Sequence, residues 1–340
     1  MQVIMTNMRK VFLFLSLSSL LLTACNFASN PNHTPSLIFT KTVGNSTSTA
    51  ITVFPSETRP GDTSNYTIDA TITATQSPTL RFAVIGDYGD GNDAEKKVAD
   101  LILGWAPDLI LTTGDNNYPK GSAESMDKNI GQYFQSFIHP YQGIYGLGAD
   151  ENRFFPSLGN HDWSTDQAQP YLDYFQLPGN ERYYEIQKGL VSFFILDSDA
   201  HEPDGVGISS DQAAWLKSLL SSSKATWNIV CFHHPPYSSG LHGSTTWMRW
   251  PFREWGTDLV LSGHDHTYER ILVDNLTYIV TGLGGANIYD FGQALPGSQV
   301  RYNQDHGAML VTAASEWLEI QFITWNGDII DDVTLTADNP

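Results

Sequence analysis

The stretch PDLILTTGDNNY (107–118) begins as an apolar run of strand length and closes on a Gly-Asp pair, with a tyrosine three residues further on. The form recurs along the chain. RFAVI (81–85) runs into GDYG, RFFPSL (153–158) into GNHD, WNIVCF (227–232) into HHPP, and DLVLS (258–262) into GHDH. Short apolar runs bounded by glycine and polar residues are the signature of strands buried on both faces. DAEKKVADLILGWA (93–106) and SSDQAAWLKSLLSS (209–222) have helical spacing, the second behind a Ser/Asp start. TYIVTGLGG (277–285), AMLVTA (308–313), WLEIQFITW (317–325) and DDVTLTA (331–337) read as further strands, the last pair joined at Asn326-Gly327. Helices interleaved with strands predict an α/β fold in layers. Five strands that each end in a polar cluster predict one sheet carrying its chemistry at the strand C-terminal ends, where open α/β sheets bind ligands.

Those clusters are rich in metal donors. Asp87, Asp115, Asn160, His161, His233, His264 and His266 all stand beside a glycine or at a strand end. Carboxylate, amide and imidazole without thiolate suit iron, manganese or zinc rather than a thiolate-based structural zinc. Seven donors are too many for one ion and suit two ions sharing a carboxylate. Singly the signals are weak, since a Gly-Asp pair is commonly a turn and a lone histidine a satisfied polar residue. Their order and shared position carry the reading. Tyr118 is the odd member, because a neutral phenol is a poor ligand.

GDYG, GDNNY, GNHD, a His-His before Pro235 and GHDH, in this order over residues 80 to about 340, resemble the calcineurin-like metallophosphoesterases. The resemblance implies a β-sandwich of two mixed sheets flanked by helices, with a dinuclear metal site at the strand C-terminal ends. Within that superfamily Gly-Asp-x-x-Tyr and the tail of GHDHTYER (263–270) are similar to the purple acid phosphatases, and the size suits the small single-domain type. By that resemblance Asp87, Tyr118 and His266 hold the first metal, Asn160, His233 and His264 the second, and Asp115 bridges them. His233 is preferred to His234 because the family's ligand stands two residues before the proline. A phenol with a pKa near ~10 would ionise on a trivalent ion. The resemblance therefore implies Fe(III) at Tyr118 and a divalent Fe, Zn or Mn as its partner.

Two ions ~3.5–4 Å apart can clamp an in-line displacement and lower the pKa of bound water toward ~7. The leaving alkoxide then needs a proton, and two histidines are candidates. His161 follows Asn160 directly. His242 lies nine residues after His233, the spacing of the family's catalytic histidine; Gly243 departs from the plant-type members, which often carry a second histidine there. Asp162 is either an orienter of His161 or a surface carboxylate. Trp163, Tyr237, Trp247 and Trp250 either line the leaving-group side or pack the core. His139, His201 and His306 match no motif, and Cys231 reads as a core thiol.

The chain has 340 residues, 41% hydrophobic, which is enough for one large domain with its own core. A formal charge of -19 argues against nucleic acid or an anionic membrane surface as partner, so the expected partner is a small phosphorylated substrate drawn in by metal ions. Arg9 and Lys10 precede VFLFLSLSSLLL (11–22), which as a helix spans ~18 Å against a ~30 Å hydrocarbon core. Residues 1–24 therefore read as a signal peptide. Leu22-Thr23-Ala24-Cys25 resembles a bacterial lipobox, which implies lipid on Cys25 and a cell-envelope location facing outside the cytoplasm, with an ordinary cleaved signal as the alternative. Residues 25–78, rich in Ser, Thr, Asn and Pro, read as a flexible stalk with an optional strand over 67–76, and 79–340 as the catalytic domain. Asn-Asn-Tyr stands where protein Ser/Thr phosphatases carry Asp-Arg-Gly, and the chain has no room for the extra domain of periplasmic nucleotidases. A phosphomonoesterase is the leading reading, with a phosphodiesterase or a non-catalytic metal-holding surface protein as alternatives.

Overall fold

The structure, a computed structural model, describes residues 38–41, 49–52 and 79–337, in two units divided near residue 74. The signal segment, Cys25 and the strand expected over 67–76 lie outside the described residues. In the first unit β1 (Ile38–Lys41) pairs antiparallel with β2 (Thr49–Thr52). That strand pair falls inside the stretch read as a stalk. Its β-branched and aromatic content favours pairing over coil.

The second unit holds two mixed sheets. The five motif strands do not share one, which corrects the single-sheet expectation. β3 (Leu80–Ile85), β4 (Leu109–Thr112) and β5 (Phe154–Pro156) run parallel to one another in the first sheet. β8 (Trp227–Cys231) and β9 (Leu259–Ser262) run parallel in the second. An apolar run reports burial on both faces but carries no label for its neighbour.

The second sheet is completed by β6 (Tyr184–Lys188), β7 (Val191–Ile195), β10 (Tyr268–Val273), β11 (Leu276–Thr281) and β12 (Ser298–Tyr302), in the order β12-β10-β11-β9-β8-β7-β6. β13 (Gly307–Ala313), β14 (Trp317–Thr324) and β15 (Ile329–Thr336) complete the first, in the order β15-β14-β13-β3-β4-β5. The turn between β14 and β15 has Gly327 at positive φ, as its Asn-Gly pair predicts.

One core lies between the sheets. Phe82 of β3 meets Phe193 of β7 edge-on at 5.0 Å, and Tyr268 of β10 stacks on Phe322 of β14 at 4.3 Å. Each such buried ring contributes about 1.5–3 kcal/mol through burial alone. A second core joins the outer face of β7, β8 and β9, through Phe194, Val230 and Val260, to Leu216 and Leu220 of the helix Asp211–Ser222. That helix starts where Ser210 Oγ accepts the Ala213 N–H at 3.1 Å. α1 (Asp93–Trp105) starts in the same way, with Asn92 Oδ1 accepting from Glu95 N–H at 2.9 Å. Among the described residues no helix is long and apolar enough to cross a membrane.

Candidate metal centre

The strand topology aims the motif loops at one another. Asp87 N–H donates to Gly114 C=O at 3.1 Å, so the loops after β3 and β4 continue their pairing. Gly263 N–H donates to His233 C=O at 3.0 Å, which does the same for the loops after β8 and β9. The two sheets are then tied across. His233 Nδ1–H donates to Thr113 C=O at 2.8 Å, and His264 N–H to Asp87 Oδ2 at 3.0 Å. Asp87, Asp115 and His264 all take left-handed backbone, at φ 55°, 52° and 70°. Such conformations cost on the order of 1–3 kcal/mol and gather at functional sites.

Tyr118 closes the first donor group. Its hydroxyl lies 3.1 Å from Asp115 Oδ2, 3.3 Å from Asp87 Oδ1 and 3.1 Å from His266 Nε2. His266 Nδ1–H is fixed on Asn287 C=O, which turns Nε2, 3.5 Å from Asp87 Oδ1, toward the centre as a ligand atom. A second group adjoins it. His233 Nε2 stands 3.1 Å from Asn160 Oδ1, 3.3 Å from Asp115 Oδ2 and 3.2 Å from His264 Nδ1. Asp115 Oδ2 is thus within reach of both groups. A ring nitrogen of His234 lies within 4.8 Å of those of His233 and His264, but Ser198 Oγ stands 2.9 Å from His234 Nδ1.

The charges of the protein's own groups show what chemistry suits such a cluster. Asp87 and Asp115 are buried, and among the described residues no Lys or Arg bonds to either. Burial opposes charge on Asp115, yet the neighbouring His233 holds it well below the usual carboxylate range. Burial opposes charge on His233 as well, and Asp115 outweighs it, lifting the imidazole to about 10. Burial, with His233 beside it, pushes His264 far below the usual imidazole range. The Tyr118 phenol is raised well above its ordinary value by burial and by the charges of Asp115 and Asp87. Buried carboxylates of this kind are paired or coordinate metals. Two adjoining sets of oxygen and nitrogen donors around one shared carboxylate fit two cations.

The remaining motif residues sort by burial. His161 is partly exposed, with Nδ1–H on Pro119 C=O at 2.6 Å and Nε2 4.0 Å from Asp115 Oδ2. His242 is exposed and lies over the His264 ring at 4.4 Å, and among the described residues neither of its ring nitrogens is hydrogen-bonded. Asp162 is neither a surface carboxylate nor a partner of the His161 ring. It is buried, accepts from Asn116 N–H, Asn116 Nδ2 and Gly159 N–H, and so binds the loop after β4 to the loop after β5. Burial and the Asp115 charge push it up to about 7. Trp163 and Trp250 are core residues, Tyr237 packs on Tyr278, and only Trp247 stands open to solvent, beside His234. His139 and His201 are exposed, His306 bonds Ala286 C=O, and Cys231 is a buried thiol against Thr112 C=O. Three contributors escaped the sequence reading: Ser198, Asp265 and Tyr289, whose ring stacks on His266 at 4.0 Å. Only Asp265, inside GHDH, stood within a quoted motif.

Residues 80–268, more than half of the chain, match the calcineurin-like phosphoesterase family, and the chain belongs to it. Purple acid phosphatase 17 of Arabidopsis thaliana is 27% identical over 240 residues, covering 61% of this chain and 68% of that one. Tartrate-resistant acid phosphatase type 5 of Mus musculus is 24% identical over 247 residues, covering 61% and 73%. Among solved structures, purple acid phosphatase PPD1 from seeds of yellow lupin, Lupinus luteus, shares the fold with a TM-score of 0.62 at 19% identity, over 77% of this chain and 54% of that one. Family membership makes the protein a metal-dependent phosphoric ester hydrolase and implies two metal ions at the centre.

Proposed function

We propose that the protein is a purple-acid-phosphatase-like phosphomonoesterase acting on small phosphorylated substrates, with Fe(III) at the Tyr118 group and a divalent ion at the His233 group. The observation that carries this reading is the Tyr118 hydroxyl set among Asp115, Asp87 and His266 at 3.1–3.3 Å. In the protein alone burial and the charges of Asp115 and Asp87 raise the pKa of its phenol, and a strongly acidic cation among these groups would reverse that and hold it as phenolate. Asp87, Tyr118 and His266 would hold one ion, Asn160, His233 and His264 the other, and Asp115 both.

When bound, the ions supply an ionised water as nucleophile and neutralise charge on the phosphate. The protein's own residues do the rest. His233 and His266 are oriented through Nδ1–H on backbone carbonyls, so their Nε2 atoms keep one aim. His161, fixed by Pro119 C=O, presents Nε2 at the Asp115 side of the centre, where as the imidazolium it would donate to a phosphate oxygen. His242, with both ring nitrogens open, would hold the proton that passes to the leaving-group oxygen.

Metal analysis of purified protein, combined with a panel of phosphoric mono- and diesters, tests this. Iron together with a second metal and a preference for monoesters is expected. Preference for diesters would replace it with a phosphodiesterase, and no turnover with any metal with a metal-holding protein.

We further propose that Cys25 is lipidated and tethers the protein at a bacterial cell envelope. The basic residues, the short apolar run and Leu-Thr-Ala-Cys support it. Stable anchoring takes more than one acyl chain. Full-length protein should fractionate with membranes and Cys25→Ala should release it; wild type that extracts into buffer without detergent rules the tether out.

A further inference from the structure

His242 rides on a loop without helix or strand (237–243), and its ring has no hydrogen bond of its own among the described residues. Its place is nevertheless fixed from behind. Asp265, buried between His264 and His266 in the chain, accepts the His242 N–H at Oδ1, 2.7 Å away. Its Oδ2 accepts the Ser238 hydroxyl at 2.5 Å and the Gly243 N–H at 3.2 Å. Ser238 Oγ in turn accepts the Gly240 N–H at 2.9 Å, so one carboxylate gathers both arms of the loop. Gly240 packs flat on this carboxylate: a Cβ there would stand 2.6 Å from Asp265 Oδ1. The adjacent Ser239 is held by a second buried carboxylate. Glu269 accepts its N–H at 2.7 Å and its hydroxyl at 2.6 Å. The loop is thereby seated on the His264–Glu269 stretch, which also carries two of the metal donors.

We infer that Asp265 is the positioning residue of His242. It sets where the imidazole stands relative to the leaving-group oxygen, and it touches no substrate. A proton donor acts only within about 2.6–3.2 Å of its acceptor. A backbone shift of about 1 Å in its loop can cost on the order of 100-fold. Two acceptor oxygens on Asp265 suit the task, because three N–H and O–H donors converge on them and an amide would present hydrogens to some of these.

This rests on the phosphatase reading and on His242 as donor, so the test separates the three. Metal-loaded wild type, Asp265→Asn, Ser238→Ala, Gly240→Ala and His242→Ala, with the double variants on His242→Ala, are assayed on an alkyl phosphate and on 4-nitrophenyl phosphate, with metal content measured for each. Only the alkyl ester needs a proton on departure. The loop variants should lower kcat on the alkyl ester by roughly 10- to 100-fold, with KM and metal content near wild type and a much smaller loss on the nitrophenyl ester. They should add little once His242 is alanine, since residues acting as a unit are not additive. Ser238→Ala keeps the proposal decidable if Asp265→Asn misfolds. Equal losses on both esters, full additivity with His242→Ala, or metal loss in all three loop variants would overturn the positioning role. A His242→Ala variant indifferent to leaving group overturns the donor, and with it the inference. A wild type that turns over neither ester overturns the phosphatase reading beneath both.

Discussion

Tyr118 is the residue on which the metal type turns. Its hydroxyl cannot ionise against two buried carboxylates without a strong Lewis acid, and a phenolate on Fe(III) absorbs visible light. Tyr118→Phe should leave the fold intact and abolish the visible band of the oxidised protein, while activity falls less than colour does. An absorption spectrum with iron content checks this, and an active wild type that is colourless and iron-free would leave a centre of another metal. The donors themselves were legible because each follows a strand, and Asp87, Asp115, Asn160 and His264 come directly after a glycine, a pattern local in sequence. Asp162 and Asp265 were not. Both are carboxylates whose partners, Asn116 for one and Ser238 for the other, lie 46 and 27 residues away. A carboxylate that organises buried N–H groups looks, in one dimension, like a turn residue facing solvent.

At the level of elements, strands and helices of the catalytic unit were readable wherever apolar runs were long or helical spacing was regular. β6, β7, β10 and β12 were overlooked. β12 is half-exposed at a sheet edge, and β6 and β7 meet at Gly189 within a stretch whose alternation is uneven. Which strands share a sheet was beyond reach, because parallel partners are chosen through contacts far apart in sequence. The joint between the sheets makes its own prediction. Gly114 has φ +93°, and a Cβ there would stand 2.7 Å from His233 Nδ1. Gly114→Ala should therefore cost about 1–3 kcal/mol in backbone strain, push His233 off Thr113, and lower occupancy of the metal held by His233. Denaturant unfolding and metal analysis read the two effects, and a variant with wild-type stability and metal content would show the contact to be soft.

On the scale of the whole molecule, the charge of -19 has a concrete local form: buried Asp87 and Asp115 face one another at an edge where two sheets converge. Removing the metals should leave these carboxylates compensated only by histidine protons. Ligands that bind only the native state stabilise by about 2.7 kcal/mol at a concentration 100 times their Kd. The chelated protein should accordingly unfold at lower denaturant, and the loss should be reversed by restoring metal. An unchanged midpoint after verified metal removal would mean that the hydrogen bonds between the loops suffice. This scale was the one the sequence approached best through resemblance, since the order of the motifs, rather than any one of them, pointed to two sheets with a centre at their common edge.

Each donor group draws on both sheets: Asp87, Asp115 and Tyr118 from the loops of the first with His266 from the second, and Asn160 and Asp115 with His233 and His264. An ion in either group is therefore a clasp as well as a catalyst, closing the sandwich at one edge much as a disulfide would, but releasable. If the edge cannot part until its clasps open, the lifetime of the folded protein is set by metal departure. Unfolding in excess chelator should then proceed at a rate that stops depending on chelator concentration, and protease resistance should decay on that same clock. Metal supply would then govern not only whether the protein works but how long it lasts.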